Sequence, residues 1–174
     1  MGRITYNQVN NLPDTMDTTA FELMFGQVPG VGDTRDLTIK CQTAAMPGFS
    51  NEAWESNLHG YVRRFRGRKT FSRQLAVTFI ETVDGSTYRK LKMWDEFIAG
   101  TNSGNSRGYQ REYSVISELA VYTTTGDLAN RLKFINMFVQ EVSDVTLDGT
   151  SSQPMLVQAT FSYDNIEVDG IPLL

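Results

Sequence analysis

The sequence predicts a mainly β fold, an antiparallel β-sandwich or partial barrel carrying one amphipathic α-helix at about residues 86–99. Three observations carry this expectation. Apolar and polar residues alternate at the two-residue period of half-buried strands through most of the chain. A single stretch replaces that rhythm with helical spacing. The length of 174 residues suits one domain with one substantial core and is short for two.

The elements follow in order. "TAFELMFGQV" (18–27) and "DLTIKCQTAAMPG" (36–48) read as the first two strands, and "PGVGDTR" between them, with its Pro and Gly residues, reads as a hairpin connection. In "RQLAVTFIE", Leu75, Val77 and Phe79 alternate with Gln74, Ala76 and Thr78. In "DGSTYRKLKMWDEFIAG", Tyr88, Leu91, Trp94 and Ile98 recur at helical spacing, with Ser86 as the expected N-cap and Gly100 as the stop. "TNSGNSRG" (101–108) reads as a flexible loop. "REYSVISELAVYTTTG" places Tyr113, Val115, Leu119 and Val121 on one strand face. In "NRLKFINMFVQEV", Leu132, Phe134 and Phe138 lie on one side and Ile135, Met137 and Val139 on the other, so both faces are expected to be covered. The last strand is "PMLVQATFSYDNI", with Met155, Val157, Ala159, Phe161 and Tyr163 in step.

Composition narrows the chemistry. Cys41 is the only cysteine and His59 the only histidine, which excludes an intrachain disulfide and leaves a zinc site or a His-containing triad almost nothing to be built from. Cys41 falls in a predicted strand, where a buried structural thiol is expected. Asp95 and Glu96 are adjacent on the predicted helix and point in different directions, as a solvated face does. "GTNSGNSRG" lacks the Lys-Ser/Thr ending of a phosphate-cradling loop. No catalytic residue, cofactor or metal site is expected. No apolar run approaches the roughly 20 residues that cross a bilayer, and no signal-peptide core stands near the N-terminus, so cytoplasmic synthesis is expected.

Charge is distributed unevenly. The net charge is −4, yet Arg63, Arg64, Arg66, Arg68, Lys69 and Arg73 stand in "YVRRFRGRKTFSR" with no Asp or Glu among them. Elsewhere ten basic and twenty acidic residues leave −10. From residue 134 to 174 there is no Lys or Arg, while Glu141, Asp144, Asp148, Asp164, Glu167 and Asp169 are present. Three readings of the basic run are open. It is a solvated hairpin, or a single-stranded nucleic-acid-binding β module in which Tyr61, Phe65 and Phe71 stack bases, or a contact with the acidic segment of a neighbouring copy.

The chain from about residue 18 to 168 resembles the tail tube proteins of contractile-tailed bacteriophages, which are related to the ring-forming tube proteins of bacterial contractile injection systems. The resemblance lies in an ordered series. "CQTAAMPGFS", with Cys41-x-x-Ala44-x-x-Pro47-Gly48, follows the opening strand, and a long polar excursion at about 50–70 closes on "GRKTF". Then come "LAVTFIET", the helix containing Trp94, the Gly/Asn loop, Tyr109, the strand pair around Gly126 and the closing "ATFSYDNIEV".

This resemblance implies a structural virion protein of the tail, not an enzyme. Its subunits form stacked hexameric rings, the strands complete an inner β-barrel on oligomerisation, and the helix stands outside. The lumen conducts the phage DNA into the host when the sheath contracts. Implied partners are further copies of the chain, the tail sheath, the baseplate and the tail terminator, with no membrane insertion by the monomer. The lumen is expected to be neutral to acidic, because arginines there would hold phosphates. The twelve charged residues named above are then expected at contacts between subunits or rings. The organisation expected is an N-terminal segment (1–17) ordered on assembly, the tube domain (18–168) and a short extension (169–174).

Overall fold

The computed structural model describes residues 16–28, 30–100, 109–148, 150, 152–169 and 171–172. The loop expected at 101–108 and nearly all of the N-terminal segment lie outside the described residues. The elements in chain order are β1 (Phe21–Phe25), α1 (Arg35–Lys40), β2 (Cys41–Ala44), β3 (Phe49–Leu58), β4 (Tyr61–Phe71), β5 (Gln74–Ile80), α2 (Ser86–Ala99), β6 (Val115–Tyr122), β7 (Leu128–Val142), β8 (Leu156–Ser162), β9 (Asn165–Val168) and β10 (Ile171–Pro172). Eight strands form one antiparallel sheet in the order β1-β6-β7-β8-β5-β2, with β9 beside β7 and β10 beside β9. Strands β3 and β4 form a sheet of their own. The large sheet curls without closing, and its end strands β1 and β2 share no hydrogen-bonded pairing. This is the expected partial barrel.

Strand β7 joins the two halves of the curl. Its first part pairs with β6 and β9, and from Phe138 onward it pairs with β8. The change occurs at Asn136, whose φ of 55° lies in the left-handed region that Asn tolerates better than most residues. Leu132 and Phe134 point into the core before it, and Met137 and Val139 after it. One extra residue at the bend thus keeps the same face inward. The expectation that both faces are covered gives way here, since Ile135 and Phe138 are only half-buried.

The core closes on aromatic rings. Phe25 lies 5.4 Å from Phe161, 6.2 Å from Phe79 and 6.3 Å, edge-on, from Trp94. Helix α2 supplies Leu91 and Trp94 to this cluster, and the indole Nε1 donates to the Tyr113 carbonyl at 3.0 Å. The helix spans the expected residues, although Tyr88 remains exposed. The alternations of β5 and β8 bury Leu75, Val77, Phe79, Val157, Ala159, Phe161 and Tyr163, whereas Met155, expected in step with them, precedes β8 and is exposed.

Three local expectations fail for physical reasons. Residues 35–40 form a helix, not the start of a strand. Their β-branched Thr38 and Ile39 favour strand, but a helical turn puts Asp36 and Lys40 on one side, facing α2. There Asp36 pairs with Lys90, and Lys40 reaches Ser86 and Asp84. Leu37 is buried while Ile39 is left outside. Strand β1 pairs with β6, so "PGVGDTR" is no hairpin connection. Ser86 is the first helical residue and not the cap, which is Gly85 with φ 62°.

The cap function passes to Glu81. Its carboxylate accepts from the amides of Thr82 (3.0 Å), Thr87 (3.1 Å) and Tyr88 (2.7 Å). Partial burial pushes this carboxyl up, but the amide hydrogen bonds outweigh it and hold Glu81 below its ordinary value. Its stabilisation is therefore complete above the ordinary glutamate range, about pH 4.3, and is lost as pH falls through the lowered folded value. Glu81→Ala is expected to lower stability to urea by about 1 kcal/mol at pH 7, the size of a lost helix cap. The gap between variant and parent is expected to narrow below about pH 4, as read from denaturation midpoints across pH.

Candidate assembly surface

The sequence from Phe49 to Phe71 forms a long hairpin because its tip supplies two consecutive left-handed residues. His59 has φ 50° and Gly60 has φ 83°, the pattern of a two-residue turn whose twist matches the flanking strands, and Leu58 faces Tyr61 across it. The register slips between Asn51 and Ala53. Gly67 sits at that bulge, where a Cβ would stand 3.0 Å from the Glu52 carbonyl oxygen. Ten residues at about 3.3 Å each give the arm a reach of about 33 Å.

The two faces of the arm differ. One face pairs Trp54 with Phe65, rings stacked at 4.5 Å, and continues through Ser56 opposite Arg63 to Leu58 opposite Tyr61. The other pairs Ala53 with Arg66, Glu55 with Arg64 and Asn57 with Val62. Both faces are open to solvent. Where the arm meets the body, Phe71 stacks on Tyr163.

The arm leaves from one end of a four-stranded sheet made of β2, β5, β8 and the second part of β7. At that end lie Gln74, Ser162 and Phe138, which share register positions. At the other end lie Ile80 and Leu156, and Ser143 continues β7 by donating to the Gln158 carbonyl. Beyond this second end stand Asp84, Asp144 and Asp148, all exposed. Hydrogen bonds from Thr82 and Ser86 hold Asp84 well below the carboxylate range, and those from Thr150 hold Asp148 below its ordinary value. One end of the sheet therefore carries a basic arm, and the other carries Asp84, which pairs with Lys40, and the exposed Asp144 and Asp148. The outer edges of this sheet, β2 on one side and β7 beyond Met137 on the other, are unpaired.

The solvent face of the same strands carries Gln74, Ala76, Thr78, Gln158, Thr160, Ser162 and Gln140, with a Gln74 to Gln140 hydrogen bond of 3.1 Å. Glu141, opposite Thr160, is the charged residue of this face, and no Lys or Arg stands among these described strand positions. The face is neutral to acidic.

The residues expected at contacts are placed as follows. Arg63, Arg64, Arg66, Arg68 and Lys69 lie along β4, and Arg73 sits at the corner into β5 with φ 53°. Arg64 pairs with Glu55 at 2.6 Å. Among the described residues the other five have no carboxylate within 4 Å. Arg63, Lys69 and Arg73 lie over the rings of Phe65, Phe49 and Phe71. Asp164, at the arm end, accepts from Gln110 and Asn136. Glu167 stands 3.7 Å from Lys133, and Asp169 accepts from the Arg131 amide. Asp144 and Asp148 are at the far end from the arm, whereas Asp164 lies at the arm end and Glu167 and Asp169 lie beside Lys133 and Arg131.

Two contributors escaped the sequence reading. Trp54 was hidden in a polar stretch, though its cross-strand partner Phe65 was visible. Asp84 joins the acidic end only through folding. Cys41 is half-buried, and burial pushes its thiol up to about 11, which keeps it protonated at neutral pH. Among the described residues no cluster of His, Cys, Asp or Glu could hold a metal ion, and no helix is long and apolar enough to cross a membrane.

A curled sheet with open edges, a projecting charged arm and an oppositely charged far end define a structural subunit shaped for association with its own kind. The family model described as phage tail tube protein matches residues 8–168, and the chain belongs to that family. It is a structural tail tube subunit, in a family that is not one of enzymes. No curated protein sequence matches the chain. Among solved structures, the tube-terminating cap of the anti-feeding prophage is similar at 12% identity and TM-score 0.62, over 90% of this chain and 92% of that one. A chain of the extended sheath–tube complex of the extracellular contractile injection system PVC is similar at 10% identity and TM-score 0.59, over 95% and 98%. Hcp1 from Flavobacterium johnsoniae is similar at 12% identity and TM-score 0.50, over 88% and 98%. At such identities these likenesses show a shared fold. The family is one of tube subunits, which is the structural reading of the chain.

Because the arm is a separate sheet, its stability is expected to be local. Trp54→Ala removes one cross-strand stacked pair. It should accelerate amide hydrogen exchange across residues 52–66 while leaving the global denaturation midpoint unchanged.

Proposed function

We propose that copies of this chain form hexameric rings that stack into a hollow tail tube, through which phage DNA passes into the host when the surrounding sheath contracts. The observation that carries this reading is the opposite charge at the two ends of one open-edged sheet. Stacking copies head to tail brings the arginines of one ring against the carboxylates of the next. Within a ring, the free edge of β2 in one copy pairs with the free part of β7 in its neighbour. Such a heterologous contact closes when the rotation between copies divides a full turn. Closure leaves no unpaired edge in the four-stranded sheets, which together become one continuous inner barrel.

In that barrel the neutral to acidic face forms the lumen. Glutamine, threonine and serine offer a polyanion no fixed cation to hold it, so DNA passes without tight binding. Glu141 belongs to this lining. Arg63, Arg64, Arg66, Arg68, Lys69 and Arg73 face ring contacts, with Asp144 and Asp148 as partners across the stack. Asp164, Glu167 and Asp169 serve contacts nearer the arm end. The outward helix α2 faces the tail sheath, and the two ends of the finished tube meet baseplate and terminator proteins. The chain makes and breaks no bond. It is synthesised in the host cytoplasm, does not enter membranes as a monomer and ends in the virion tail.

Charge reversal tests the stack. Arg64→Glu combined with Arg66→Glu should leave the circular dichroism of the monomer unchanged and suppress polymerisation at low salt, as seen by negative-stain electron microscopy. Normal tubes from this variant would remove the arm from the ring contact.

A further inference from the structure

We infer that the arm of one copy docks in an apolar groove at the far end of a second copy, with Trp54 and Tyr61 as anchors. This rests on the stacked-ring reading and names the receptor within it. The groove, of about 450 Å³, lies in the connection from β7 to β8, where Leu147, Pro154, Met155 and Leu156 supply its apolar lining and Thr146, Asp148 and Gln153 its polar part. Leu147 is 79% exposed there, and Met155 and Leu156 are also partly open. Aliphatic side chains gathered around a concave surface, with a carboxylate at the rim, form the kind of patch that marks a protein contact.

The arm presents the matching chemistry. Trp54 is 55% exposed and Tyr61 78% exposed, both on the face that also carries Leu58, Phe65 and Arg63. Trp, Tyr and Arg are the residues that most often dominate contact energetics when an apolar pocket receives them. Among the described residues Arg63 has no carboxylate and Asp148 on the groove no basic group within ion-pair distance. Docking unites the two at the edge of an apolar contact, where water is excluded and an ion pair is less screened.

Polarity decides whose arm enters. The arm leaves its own body at the Gln74 end of the sheet, whereas the groove opens beyond the Ile80 and Leu156 end. A copy therefore roots its arm and opens its groove at opposite ends of one sheet, and a stack of such copies sets each groove at the side from which the arm of the following ring leaves. This arrangement repeats by translation without limit, as a tube requires.

The test uses the full chain with Tyr61→Cys and Leu147→Cys together, assembled and then oxidised. A ladder of covalently linked copies on a denaturing gel is expected from the double variant and not from either single one. Leu147→Glu should raise the concentration needed for tube growth about tenfold or more while single rings still form, consistent with loss of an anchor contact. Arg63→Asp should weaken growth similarly, and adding Asp148→Arg should restore it. Normal tube growth by Leu147→Glu, with no ladder from the double cysteine variant, overturns the docking and leaves the stacked rings standing. An unmodified protein that forms neither rings nor tubes overturns both. A groove that instead cross-links to a sheath or baseplate protein overturns the docking as well.

Discussion

A single bend in β7 lets one strand serve both halves of the curled sheet, and every surface proposed for assembly depends on it. Before Asn136 the strand is held on both sides, by β6 and β9. Beyond Met137 only β8 remains among the described residues, so the strand's outer edge is left open there. The bend thereby separates a part of the sheet paired on both sides from a part whose outer edge is open. Unpaired strand edges are a hazard that folds usually cover. Here the incompleteness has an outlet, because the other edge of the same four strands, β2, is open too. A subunit with one open edge on each side matches the next copy and not itself.

Around that frame, charge is segregated along the strand direction. The arm carries its cations beyond one end, the carboxylates of Asp84, Asp144 and Asp148 collect beyond the other, and the face between them is nearly uncharged. Each placement answers a different requirement. In the proposed stack, contacts between rings gain direction from opposite charge, which orders encounter more than it adds affinity. A lumen for a polyanion must do the reverse and offer nothing to hold. A chain with a concentrated basic run and a net charge of −4 can meet both only if folding keeps the run away from the sheet face.

Much of the body is legible in the sequence because its determinants are local. Leu91 and Trp94 at helical spacing mark α2, and the alternations in β5 and β8 mark their buried faces. The failures have nonlocal causes. Helix α1 is set by Asp36 and Lys40 reaching α2 some fifty residues away, against the strand preference of Thr38 and Ile39. The β1–β6 pairing spans about a hundred residues and leaves no mark beside either strand. The left-handed Asn136 turns an apparent two-faced strand into one face with a slip. The surface divides in the same way. The basic run is visible as composition, but its place is not, because only the fold sets the arm at the Gln74 end of the sheet and Leu147 and Asp148 beyond the Leu156 end.

The most direct test is a cryo-electron microscopy map of the assembled tube. The account predicts that Gln74, Thr78, Gln158 and Thr160 line the lumen and that residues 49–71 of each subunit bridge to the 143–156 region of the adjoining ring. A tube with those arms folded into the lumen, or with the Gln and Thr face turned outward, would contradict it.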